Sequence, residues 1–173
     1  MRNLAAALFV PALFAAAAFA QAPATNPLDA VPEKMPFDVP YGAPISLERA
    51  QAAIAAAVGD AKGHNWKLNV AVVDSGGNLV AFARMDGAQL ASIAISEHKA
   101  RASVKFRRET KAFENGVQVS NFHYVMTLDD VIASRGGIPL VEDGKLIGAI
   151  GCSGGTGSQD EVSCKAGAAT VNK

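Results

Sequence analysis

Leu68-Asn-Val-Ala-Val-Val-Asp-Ser-Gly-Gly-Asn-Leu-Val-Ala-Phe-Ala-Arg-Met85 is the stretch on which the fold turns. Two apolar runs, Leu68 to Asp74 and Leu79 to Met85, flank Ser75-Gly76-Gly77-Asn78, whose glycines supply the positive φ that a tight hairpin needs. The arrangement recurs downstream: Ile138 to Glu142 and Lys145 to Cys152 are joined by Asp143-Gly144, a two-residue turn. Working outward, Ser46 caps a helix to about Lys62, with Leu47, Ala50, Ile54, Ala57 and Ala61 on one face and Gly63 as its stop. Ala88 to about Phe106 reads as a helix that continues, after a break, into Thr110 to Gly116. Gly154-Gly155-Thr156-Gly157 then leads into Ser158-x-x-Glu161, a capping box opening a last helix to about Val171. Helix, hairpin, helices, hairpin, helix predicts an α+β domain with helices packed on an antiparallel sheet.

The rest of the chain bounds what that domain can be. At 173 residues there is room for one compact domain and little else. Sixteen basic against sixteen acidic residues leave no bulk charge to attract nucleic acid or an anionic membrane. Residues 1–20 have the layout of a secretory signal: Arg2, an Ala-rich apolar stretch from Leu4 to Phe19, and Ala18-Phe19-Ala20 as an A-x-A cleavage site. Cleavage after Ala20 would place the mature protein in the periplasm or outside the cell, with no membrane span remaining; a retained membrane anchor is the competing reading, disfavoured by the short stretch and Pro11. From residue 21 to 44 come Pro23, Pro27, Pro32, Pro36, Pro40 and Pro44, a spacing that forbids a helix and reads as an extended N-terminal arm packed on a neighbouring subunit, with a disordered leader as the alternative. The domain proper is expected over 45–173. Export also permits Cys152 and Cys164 to persist as a disulfide, with two free thiols as the alternative.

Five segments, in order, then match a known family. They are Val70-Ala-Val-Val-Asp-Ser-Gly-Gly-Asn-Leu79, Ala83-Arg-Met-Asp-Gly87, Ser92 through Lys99-Ala-Arg-Ala-Ser103, Gly136-Gly-Ile-Pro-Leu140, and Gly148-Ala-Ile-Gly-Cys-Ser-Gly-Gly155 leading into Gln159-Asp-Glu161. The sequence resembles the GlcG/HbpS-like family of small haem-binding proteins, related to the C-terminal domain of PduO-type proteins. That resemblance implies a profilin-like α+β sandwich, a homo-oligomer that is a dimer or larger, and haem as the cofactor.

Haem iron needs an axial donor, an apolar slot and cations for the propionates. His98 shares a helix with Lys99 and Arg101 and is the first candidate iron ligand; a solvated helix histidine is the plainer reading. His123, in Asn121-Phe-His-Tyr-Val-Met126, is the second, with Met126 as a further donor, although Phe122 and Tyr124 there are also ordinary packing residues. His64, in a Gly-His-Asn loop, reads as a surface residue. The basic run Lys99, Arg101, Lys105, Arg107, Arg108 and Lys111 is either a solvated face or a partner for carboxylates of a tetrapyrrole or acidic metabolite. Gly154, Gly155, Gly157 and Ser158 place amides at a helix start, suited to an anion or simply to a structural turn. Asp74 and Asp86, at strand ends, form an acid/base pair or cap the backbone. No C-x-x-C-H, zinc ligand set or Ser nucleophile elbow is present.

The leading expectation is therefore an exported, non-enzymatic protein for haem sequestration, sensing or transfer. The alternatives are a small-molecule enzyme or accessory protein that binds an acidic metabolite, and a structural oligomer stapled by its arm.

Overall fold

Both hairpins form, and they join edge to edge into one antiparallel sheet. In the computed structural model, which describes residues 26–35 and 37–172, β1 (Asn69–Asp74), β2 (Leu79–Arg84), β3 (Gly137–Glu142) and β4 (Lys145–Ser153) lie in the order β2-β1-β4-β3. The expected leader over residues 1–20 lies outside the described residues, as does the start of the arm. The chain divides into a unit up to Lys34 and a second from Met35 onward. In the first, Pro27–Asp29 makes a single 3-10 turn whose Leu28 amide donates to the Asn26 side chain.

Strand alternation sorts the core of the second unit into two layers. Val70 and Val72 of β1, with Ile150 and Cys152 of β4, face α1 (Leu47–Gly63) and α4 (Gly157–Ala168). Ala71, Val73 and Ala149 face the other way, onto Ala100 and Val104 of α2 (Ala91–Lys105). Small α1 residues Ala50, Ala53, Ala57 and Ala61 are all fully buried, and Ala53 and Ala57 lie against Gly167 of α4, so α1 packs on α4 as well as on the sheet. The approach of α2 to the other face is close. Gly137 and Gly151 are cross-strand partners, and a Cβ on either would overlap a carbonyl of α2, Lys99's or Ser96's.

The turns follow from their residues. Gly77 takes φ 84° in the first hairpin, while one Asp74 oxygen accepts the amides of Gly76 and Asn78. In the second hairpin, Asp143 and Gly144 both have positive φ, as a primed two-residue turn requires. Ser46 caps α1 through the Arg49 amide, but the helix includes Gly63 and ends on His64 rather than stopping at the glycine. The capping box of α4 is Thr156 with Gln159, not Ser158 with Glu161. Glu161 is instead held by Lys111 and Lys165.

The segment before α1 extends the sheet. Leu146 donates to the Pro40 carbonyl, Gly42 donates to the Leu146 carbonyl, and Ile45 donates to that of Ile147, at 2.8, 2.8 and 2.9 Å. These contacts fall just past Gly148, where β1 ceases to pair with β4. The two borders of the sheet differ. Along β3, Gly137 exchanges hydrogen bonds with Thr110, the Pro139 carbonyl accepts from Asn172, and the Val141 amide donates to Asn172. Among the described residues, no such partner lies along the outer edge of β2. No described helix is long and apolar enough to cross a membrane.

Candidate functional site

The basic run of α2 and its continuation is shared out by helical position. Lys99 faces inward, with its ammonium beside Gly136, and is 1% exposed; that ammonium donates to Asp160 at 2.7 Å. It is thus spent on tying α2 to the first turn of α4 and does not reach a ligand at the surface. Arg101 pairs with Glu97 at 2.8 Å, and Lys105 pairs with Asp130. The hydrogen bond from Lys105 holds the Asp130 carboxyl below its usual value, with smaller contributions from the charges of His98 and Arg101. Beyond the helix, Arg108 lies 3.1 Å from the Phe37 ring centroid and Arg107 lies over Tyr41, so these two arginines pin the segment before α1.

His98 is exposed on the outer face of α2. His123, Tyr124 and Met126 are also exposed, on a 3-10 turn (His123–Thr127) that follows α3 (Lys111–Gln118). The glycine loop is partly self-satisfied. The Gly155 amide donates to Asp160 and the Thr156 amide to Gln159, which leaves the Gly157 and Ser158 positions to open α4. Beside it Glu161 gathers Lys111, Lys165 and Arg135, and Glu114 takes two bonds from Arg135. Burial pushes the Glu161 carboxyl up, but the hydrogen bonds from Lys165 and Lys111 overcome it and hold it below the ordinary carboxylate range. Glu114 is likewise lowered, because bonds from Arg135 outweigh its desolvation. Asp74 and Asp86 stand at opposite ends of the first hairpin, so they do not form an acid/base pair. Cys152 and Cys164 are joined as a disulfide, with Cα atoms 5.6 Å apart, fastening α4 to β4 in the core.

A concave site opens elsewhere, where α1 ends and β2 ends. A cleft of about 380 Å³ has Val58, Trp66, Ala83 and Met85 as apolar walls and Lys62, Lys67 and Arg84 as cations, with Asp86 also lining it. Trp66, the chain's single tryptophan, is half-buried and stacks on His64 with ring centroids 4.3 Å apart. An adjoining groove of about 420 Å³ shares Val58 and Ala83 and continues between α1 and β2 past Leu47, Ile54 and Val80. None of these cations stood out in the sequence. The available signal was the lone Trp66 beside Lys67, directly after a Gly-His-Asn loop.

Residues 45–169, which hold all of these elements, match the family described as haem degrading protein HbpS-like. The chain belongs to the HbpS-like family. This HbpS-like chain is 42% identical to protein GlcG of Escherichia coli (strain K12) over 109 residues, 63% of its own length and 81% of the relative's. Its fold matches a double mutant of Streptomyces reticuli HbpS at a TM-score of 0.71 and 27% identity, covering 83% of this chain and 98% of that one. It also matches the crystal structure of a PduOC haem complex at a TM-score of 0.67 and 28% identity, over 75% of this chain and 96% of the other.

Proposed function

We propose that this chain is an exported, non-enzymatic haem-binding protein that sequesters, senses or passes on haem, working as a homo-oligomer. The observation that carries the reading is the shared domain: a PduOC structure with haem bound has this fold over 96% of its length, within a family described by its action on haem. The donor set fits the cofactor. Among the described residues no group of three or more His, Cys, Asp or Glu could hold a bare metal ion. Haem brings four nitrogen ligands of its own and asks the protein only for one or two axial donors, which His64, His98, His123 or Met126 can supply from exposed positions. The cleft adds apolar walls and cations of the kind that hold propionates.

Hemin titration of the purified protein, followed in the Soret region, tests this. Saturable binding with a shifted Soret band is expected. Alanine variants of His64, His98 and His123 assign the axial donor, since only loss of the true ligand moves the band positions. Absence of saturable hemin binding would discard the reading in favour of a small acidic metabolite, which the same three cations would suit.

A further inference from the structure

We propose that the cleft where α1 and β2 end, together with the groove running on from it, is the seat of the tetrapyrrole, and that Lys62, Lys67 and Arg84 grip its two carboxylates. This rests on the haem reading above and gives it a place and a polarity.

Charge bookkeeping singles the cleft out. Every lysine and arginine of α2, α3 and α4 reaches a carboxylate of this chain. Arg107 and Arg108 are taken up by aromatic rings. Lys62, Lys67 and Arg84 pair with no carboxylate among the described residues, yet they come from three separate places, the last turn of α1, the connection into β1 and the last residue of β2, to line one cleft. Three cations of like sign repel one another, so their convergence is stabilised by an anion placed among them. Asp86, which also lines the cleft, offsets one of the three charges, which leaves two for a dianion.

The shape agrees with the charge. The cations stand at one end only; from Val58 and Ala83 onward the trough is walled by Leu47, Ile54 and Val80. A tetrapyrrole of the haem type is a flat plate with both carboxylates on one edge and apolar substituents on the opposite edge. Trp66, stacked on His64, offers a flat aromatic surface at the charged end, and Met85 offers a polarizable one. Recognition of this kind addresses the edges of the macrocycle and does not depend on the metal at its centre.

The test uses hemin and metal-free protoporphyrin IX, each titrated into the purified chain by absorbance and by porphyrin fluorescence. The wild type is expected to bind both. The Lys62→Ala/Arg84→Ala double variant, altered only at exposed positions, is expected to lose about tenfold or more in affinity for both while keeping the visible band positions of the hemin complex. Lys67→Glu is expected to weaken both as well, and Arg101→Ala to change neither. Masking the carboxylates as methyl esters is expected to abolish the difference between wild type and double variant. Wild-type affinity in both the double variant and Lys67→Glu, with hemin still bound saturably, would overturn this placement and leave the haem reading standing. Failure of the wild type to bind either compound would overturn both.

Discussion

The Lys99 ammonium and the Asp160 carboxylate meet 2.7 Å apart with side-chain exposures of 1% and 3%. The pair ties α2, on one face of the sheet, to the first turn of α4, and the other Asp160 oxygen accepts the Gly155 amide of the glycine loop. Removing one partner leaves a buried charge without its counter-ion. Lys99→Met or Asp160→Asn is therefore expected to lower unfolding free energy by about 3–5 kcal/mol, and the double variant Lys99→Met/Asp160→Leu by less than either single one. Urea unfolding of the three variants checks the ranking; a double variant weaker than both singles would refute it.

The glycines of the domain divide into those that α2 needs and those it does not. Gly151→Ala would drive a methyl into the Ser96 carbonyl, so α2 must lift from β4, at a cost of about 1–3 kcal/mol. Gly59, on α1, has nothing within 4 Å of where its Cβ would stand, and Gly59→Ala is expected to stabilise by about 0.5–1 kcal/mol. Thermal unfolding of the two variants should show shifts of opposite sign.

Cys152 and Cys164 are both fully buried in the core under α4. In protein recovered from an oxidising compartment, intact mass after alkylation should show no label until reductant is added under denaturing conditions. Cys152→Ala/Cys164→Ala should lower unfolding free energy by about 2–4 kcal/mol, for a bridge that closes a short loop.

Acid should loosen the polar cluster at the start of α4. Glu161 and Glu114 both have carboxyls lowered in the folded protein by their basic partners. A lowered folded value means that their stabilisation is complete above the unfolded carboxyl value, about 4.3, and is lost as pH falls through the folded ones. Melting temperature should be flat with respect to these groups near neutrality and fall below about pH 4.5. In Glu161→Gln that acid-side fall should be shallower, as melting curves from pH 7 to pH 3 would show.

How far the sequence could be read depended on the range of the forces involved. Hairpin turns at Gly77 and Asp143-Gly144, and the Ser46 cap, are decided within a few residues, and they formed where the pattern placed them. The start of α4 is misplaced by the local pattern: Ser158 with Glu161 reads as the box, whereas Thr156 with Gln159 forms it, and cations fifty and twenty-six residues away, Lys111 and Arg135, hold Glu161. Lys99 looked like any member of a basic run. Its burial depends on Gly136, which leaves room for its ammonium, and on an acid of α4, neither of them near it in sequence. The cleft was invisible for the same reason: Lys62 and Arg84 line one cleft only once α1 has docked on the first hairpin.

The unequal borders of the sheet set a limit on how copies of this chain can join through their backbones. Along β3 the outward groups at positions 137, 139 and 141 are already satisfied, and one of them is a proline with no amide to offer. Among the described residues, strand addition is left with the β2 flank, which runs beside the cleft. Open-ended edge-to-edge growth needs two adhesive flanks on every subunit, and the described residues leave this sheet one, so pairing of folded copies through sheet edges should end after a single event.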